Sequence, residues 1–108
     1  VRRGELVTVA LPGDHGKPRP ALVIQSDRFP DTATTTVLLI TSTLVDAPLI
    51  RLTVEPSPEN GMRATSQVMI DKAMTVRTNK LGGGFGQLDD TAMLEVNRAL
   101  ALFLGVAG

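Results

Sequence analysis

The stretch "GDHGKPRPALVIQSD", residues 13–27, sets a histidine, a lysine and a proline-flanked arginine at the mouth of a strand-like apolar run. Each of these residue types brings a definite chemistry. An imidazole titrates near neutrality, so His15 could serve as general base or acid, although a histidine in an exposed turn is commonly inert. Pro18 and Pro20 push the backbone around Arg19 toward extended geometry and remove amide donors beside it, so its guanidinium is aimed. A planar fork of five donors at a wet rim suits a phosphate, with Lys17 beside it as a second cation. Structural ion pairs being common, the residues alone favour reading the same arginine as a surface cation paired with Asp14 or Asp27. Further along, "LLITSTL" places the hydroxyls of Thr41, Ser42 and Thr43 where a buried strand emerges. Such hydroxyls usually satisfy turn amides; beside a fixed arginine they could instead meet a phosphate oxygen or a ribose 2′-OH.

Composition narrows the chemistry further. The 108 residues hold no cysteine and one histidine, which removes disulfides and thiolate catalysis and argues against a zinc site. Eleven basic residues balance eleven acidic ones, so a nucleic-acid site must be a local patch. Arg2, Arg3, Arg63, Lys72, Arg77 and Lys80 are candidates to line such a groove, or simply solvated surface. Phe29, Phe85 and Phe103 are the only aromatics, a thin supply for a base-stacking platform. The run "LGGGFGQL" lacks the lysine and the strand-to-helix context of a phosphate loop and reads as a flexible hairpin or a loop beside substrate. No apolar run approaches the roughly 20 residues of a membrane span, and "VRRGELVTVA" lacks a secretory pattern, so a cytoplasmic location without membrane contact is expected.

The elements that must position these groups follow from periodicity. "GELVTVAL" alternates and stops at Pro12-Gly13, whereas "RPALVIQS" and "TVLLITS" are continuous apolar runs suited to the sheet centre. "LIRLTVE" alternates again, placing Ile50, Leu52 and Val54 inward, and "EPSPENG" is a loop. "SQVMID" and "MTVRTN" are separated only by Lys72-Ala73, which implies an antiparallel pair or one bent strand. From Asp89 to Leu104, Met93, Val96, Leu100, Phe103 and Leu104 recur at helical spacing, with Asp89 or Asp90 as N-cap and Gly105 as the stop. Five or six short strands followed by one helix make the chain mainly β: a small, strongly bent antiparallel barrel with a C-terminal helical cover, as a single domain over 1–108.

"RGELVTVALPGDHGKPRPALVIQSD", "TVLLITSTL" and "SQVMIDKAMTVRTNKLGGGFGQLDD" before an apolar helix together resemble the MazF/PemK (Kid-like) toxin family of type II toxin–antitoxin modules. The similarity runs in order from Arg3 to about Leu104, most specifically in Arg-Pro-x-x-Val-Ile-Gln. The resemblance implies an SH3-like (CcdB/MazF-type) barrel and a homodimer. It implies sequence-selective, metal-independent cleavage of single-stranded RNA by the substrate's own 2′-OH, an mRNA interferase activity needing no cofactor. It also implies a cognate antitoxin whose tail occludes the groove, with operator DNA bound only in complex with that antitoxin.

By position, Arg19 matches the family's catalytic arginine and Thr41 its catalytic threonine, with His15 a third catalytic candidate and Asp14 a weaker one. Ser42, Gln67, Asp71 and Lys17 are candidates for substrate binding, Gln67 by reading a base edge. Asp71 aligns with an acidic position that some members pair with an arginine two residues earlier, where this chain has Met69; it could instead cap a turn or pair with Lys72 or Arg77. Two other functions fit the same barrel. One is a non-enzymatic gyrase inhibitor resembling CcdB, disfavoured because the chain has no tryptophan and ends "LGVAG". The other is an antitoxin-binding autorepressor without catalysis.

Overall fold

Two apolar clusters, one on each face of a curled antiparallel sheet, organise the molecule. The computed structural model describes residues 1–13 and 17–107. Among these, the strands are β1 (Glu5–Ala10), β2 (Pro18–Val23), β3 (Thr34–Thr41), β4 (Arg51–Val54), β5 (Ser66–Arg77) and β6 (Gly86–Gln87), followed by one α-helix, α1 (Asp90–Leu104). Their order across the sheet is β4-β5-β3-β2-β1-β6. The two continuous apolar runs, β2 and β3, therefore occupy its middle, where both faces are covered.

The sheet is a half-barrel. Its terminal strands β4 and β6 are not laddered to each other, but the Gln87 amide donates to the Glu59 carbonyl at 2.9 Å and so ties β6 to the β4–β5 loop. On the concave face Leu6, Leu22, Leu38, Ile40, Val68 and Ile70 pack with Val96 of α1. On the other face Val7, Val9, Ala21, Val23, Val37 and Val76 form the second cluster. Full burial of each Val, Leu or Ile side chain among them contributes about 1.5–3 kcal/mol relative to exposure.

"SQVMID" and "MTVRTN" form one bent strand, the second of the two expected arrangements. Thr34–Leu38 of β3 pair with its C-terminal half and Ile40–Thr41 with its N-terminal half, with a register shift between Leu38 and Ile40. That shift leaves extra residues of β5 around Asp71 and Lys72, bends the strand, and lets its first half also carry β4. The helix ends as expected. Asp89 accepts from the Ala92 amide at 2.7 Å, and Gly105 stops it in the left-handed region at φ 73°.

The reading of "LGGGFGQL" as a flexible hairpin is corrected. The segment lies along β1, its Gly86–Gln87 forming the edge strand β6, with Gly82 N–H donating to Thr8 O, Phe85 N–H to Leu6 O and Leu88 N–H to Gly4 O. Side chains would obstruct this approach: a Cβ at Gly82 would collide with the Thr8 hydroxyl, and one at Gly86 with the Asn60 carbonyl.

Candidate functional site

The strand register brings the arginine and the threonine together. β2 and β3 are antiparallel, with Ala21 opposite Leu39, Leu22 opposite Leu38 and Val23 opposite Val37. Continuing this register two residues sets Arg19 across from Thr41, beyond the last paired position. There the strands part, next to Pro20, which has no amide to donate. The opening is a trench of about 420 Å³ whose walls include Lys17, Arg19, Pro20, Thr41, Ser42 and Thr43. β1 still supports Arg19 from the other side, with Val9 as its cross-strand partner, so the half-buried residue stands on a paired strand. Asp27, one of the suggested ion-pair partners, lies past the far end of β2, where it accepts from the Arg3 amide at 2.7 Å.

Thr41 is oriented by its own turn. Its Oγ1 accepts from the Thr43 amide at 3.1 Å, which fixes the oxygen and leaves the hydroxyl proton to donate. The turn role and the trench-facing role of this hydroxyl are thus compatible. Ser42 and Lys17 are exposed at the trench. A guanidinium, an ammonium and hydroxyls around one concavity form a donor-rich, cationic surface suited to a phosphodiester.

Two of the expected site residues stand elsewhere. The Gln67 amide, expected to read a base edge, is engaged by the fold: Oε1 accepts from Val45 N–H, while Nε2 donates to Val45 O and to Thr53 Oγ1. It is buried and holds the β3–β4 loop onto β5. Asp71 is not part of the trench wall; it sits where β5 bends and pairs with Lys72 at 3.4 Å, one of the structural partners expected for it. Its Oδ1 is buried without a hydrogen bond, as is Nε of Arg51. Arg51 stands opposite Met69, two residues before Asp71, so β4 supplies an arginine on the strand next to the position where β5 has methionine. His15, together with Asp14, lies outside the described residues.

Among the scattered basic residues, Arg3 is structural, with Nε donating to Ile24 O and a terminal nitrogen to Asn97 Oδ1. Arg77 and Lys80 line a separate concavity with Leu11 and Met74. Thr43, the third hydroxyl of "TST", lines the trench with Thr41 and Ser42, and sequence reasoning missed only Ser66, which has no sequence signal beyond opening a strand. Among the described residues no group of three or more His, Asp or Glu side chains could hold a metal ion, and no helix is long and apolar enough to cross a membrane.

Comparison with known proteins agrees with this fold. Residues 2–104 match the family described as PemK-like, MazF-like toxin of type II toxin–antitoxin system. A curated relative from Mycolicibacterium smegmatis, described as a probable endoribonuclease MazF, is 47% identical over 109 residues, with all of both chains covered. Among solved structures, a mycobacterial endoribonuclease in complex with its cognate antitoxin superposes with a TM-score of 0.82 at 24% identity, covering 100% of this chain and 98% of the other. The Mycobacterium tuberculosis toxin MazF-mt6 gives 0.80 at 22% identity, covering 94% and 96%. At such identities the superpositions speak for the fold. The half-barrel, the helix that covers it and a family match spanning nearly the whole chain agree: this chain belongs to the PemK-like, MazF-like toxins of type II toxin–antitoxin systems.

Proposed function

We propose that the chain is the toxin of a toxin–antitoxin module and a sequence-selective endoribonuclease that cleaves single-stranded RNA in the Arg19–Thr41 trench. The observation that supports this most directly is that Arg19 and Thr41, on adjacent strands, line one groove. The 47% identical relative, a probable endoribonuclease, supports it independently.

In this reading the nucleophile belongs to the substrate. The ribose 2′-oxygen attacks the adjacent phosphorus as its proton leaves to a base, and the P–O5′ bond breaks as the departing oxygen takes up a proton. The products are a 2′,3′-cyclic phosphate and a 5′-hydroxyl. Arg19 neutralises the charge that builds on the non-bridging oxygens, a contribution of about 3–4 kcal/mol for one well-placed donor. The Thr41 hydroxyl, fixed by Thr43, orients the 2′-OH or a phosphate oxygen. Lys17 and Ser42 hold the flanking backbone, and His15 is the candidate proton carrier. No step calls on a cofactor.

The toxin acts in the cytoplasm as a homodimer that a cognate antitoxin neutralises, with operator DNA bound only as the toxin–antitoxin complex. The dimer reading rests on apolar surface: Leu102, Phe103 and Leu104 of α1 and Leu44, Val45 and Leu49 of the β3–β4 loop are all exposed. The test is incubation of the pure protein with mixed single-stranded RNA, with and without EDTA. Cleavage leaving cyclic phosphate ends, indifferent to chelator and reduced about 10²–10³-fold by Arg19→Ala with unchanged circular dichroism, is expected. RNA left intact by the unaltered protein, or cut equally well by Arg19→Ala, overturns the reading.

A further inference from the structure

Alongside the trench runs a second groove, of about 520 Å³, whose lining includes Pro18, Pro20, Met62, Arg63, Ser66 and Phe85. Pro18, Pro20 and Ser66 belong to both concavities, so one extended ligand can pass from the first to the second without leaving the surface.

The far wall of this groove is built with care. Asn60 is buried, accepts at Oδ1 from the Ser57 and Met62 amides, and donates from Nδ2 to Glu55 O, which fixes the β4–β5 loop. Gly61 adopts φ 63°, and a Cβ there would collide with the Phe85 carbonyl. A Cβ at Gly86 would collide with the Asn60 carbonyl in turn. The two glycines let the loop and the β6 segment touch, and the contact holds Phe85 at the groove with 37% of its surface exposed. Arg63, itself exposed, is the only charged residue among the described lining residues, so the groove offers an aromatic face, proline rings and a thioether together with one cation. Apolar planes beside a lone positive charge suit a nucleobase attached to a phosphate.

We propose that this groove is a nucleobase subsite, in which a base flanking the scissile phosphate of single-stranded RNA stacks on Phe85 while Arg63 meets an adjoining phosphate. The assignment rests on the nuclease reading of the Arg19–Thr41 trench and adds to it where sequence selectivity is read. Phe85 thereby supplies the aromatic platform that a chain with three phenylalanines otherwise lacks.

The test uses the full chain and a short single-stranded RNA carrying its cut site, with each flanking base removed in turn to leave an abasic sugar. Phe85→Leu is expected to raise KM about tenfold with kcat nearly unchanged. Removing the base at one flanking position should do the same to the unaltered protein, and the two changes together should cost no more than either alone. Arg63→Ala, an exposed substitution that leaves the fold intact, should raise KM and lessen its dependence on salt. If the unaltered protein cuts RNA while Phe85→Leu and Arg63→Ala leave KM and the cut-site profile unchanged, this assignment is wrong and the nuclease reading stands. Losses that simply add for every abasic position also overturn it. Inertness of the unaltered protein toward RNA removes the nuclease reading and this subsite with it.

Discussion

Thr41 and Gln67 are cross-strand partners on β3 and β5, yet Thr41 lines the open trench while Gln67 is sealed beneath the β3–β4 loop. The difference arises just past the strand end. The chain leaving Thr41 folds back so that Val45 exchanges two hydrogen bonds with the Gln67 amide, at 3.1 and 3.0 Å.

Gln67→Ala should therefore act on stability. It strands the polar groups of Val45 and removes the bond to Thr53, and unsatisfied buried groups cost about 1–3 kcal/mol. Thermal melting should show a fall of several degrees, while the folded variant keeps its cut-site profile at low temperature. An altered profile with an unchanged Tm would return Gln67 to a substrate-reading role.

Thr41 allows a sharper separation. Thr41→Ser keeps both the oxygen that accepts from Thr43 and the proton that can donate, whereas Thr41→Val keeps the shape and loses both. RNA cleavage should fall by about 10²-fold or more in the valine variant and by far less in the serine variant. Because the lost Thr43 bond is at an exposed turn, melting should shift little in either.

Much of this was legible in the sequence because it depends on local rules. Alternation located β1 and β4, unbroken apolar runs located the central β2 and β3, and Asp89 and Gly105 marked the ends of α1. Arg19 could be read as aimed because its proline neighbours act on the backbone directly. What escaped depends on register and on contacts between distant segments. Whether Gln67 faces substrate or a loop is decided by how the chain turns after Thr43. The glycine-rich run looked flexible because sequence shows that side chains are absent, but not that Thr8 and Asn60 occupy the space they would need.

His15 is the proposed proton carrier, and its contribution is separable by pH. As general base its imidazole works in the neutral form, so cleavage should rise with pH. His15→Ala should lower the rate and flatten this rise, with Asp14→Asn leaving it in place. A steep profile that survives in His15→Ala would assign the proton transfer to another group.

The glycines of "LGGGFGQL" give a graded prediction from geometry alone. A Cβ at Gly83 meets nothing within 4 Å, so Gly83→Ala should leave melting essentially unchanged. At Gly84 the obstruction is the Glu5 carboxylate, the far end of a flexible side chain that can swing aside, and the cost should be small. At Gly82 it is the hydroxyl of Thr8, a short β-branched side chain with little room to rotate. At Gly86 it is the backbone of Asn60, whose side chain is tied into the loop by three hydrogen bonds, so nothing can yield without loosening that loop. The Tm values of the four alanine variants should therefore fall in the order Gly83, Gly84, Gly82, Gly86, with the last losing about 1–3 kcal/mol or more, as expected for overpacking against a fixed neighbour. Since Gly86→Ala also displaces the wall that holds Phe85, its KM for RNA should rise even below its melting range. A Gly86→Ala protein that melts and cleaves like the unaltered chain would show that the β4–β5 loop is free to move, and would contradict the rigid wall described above.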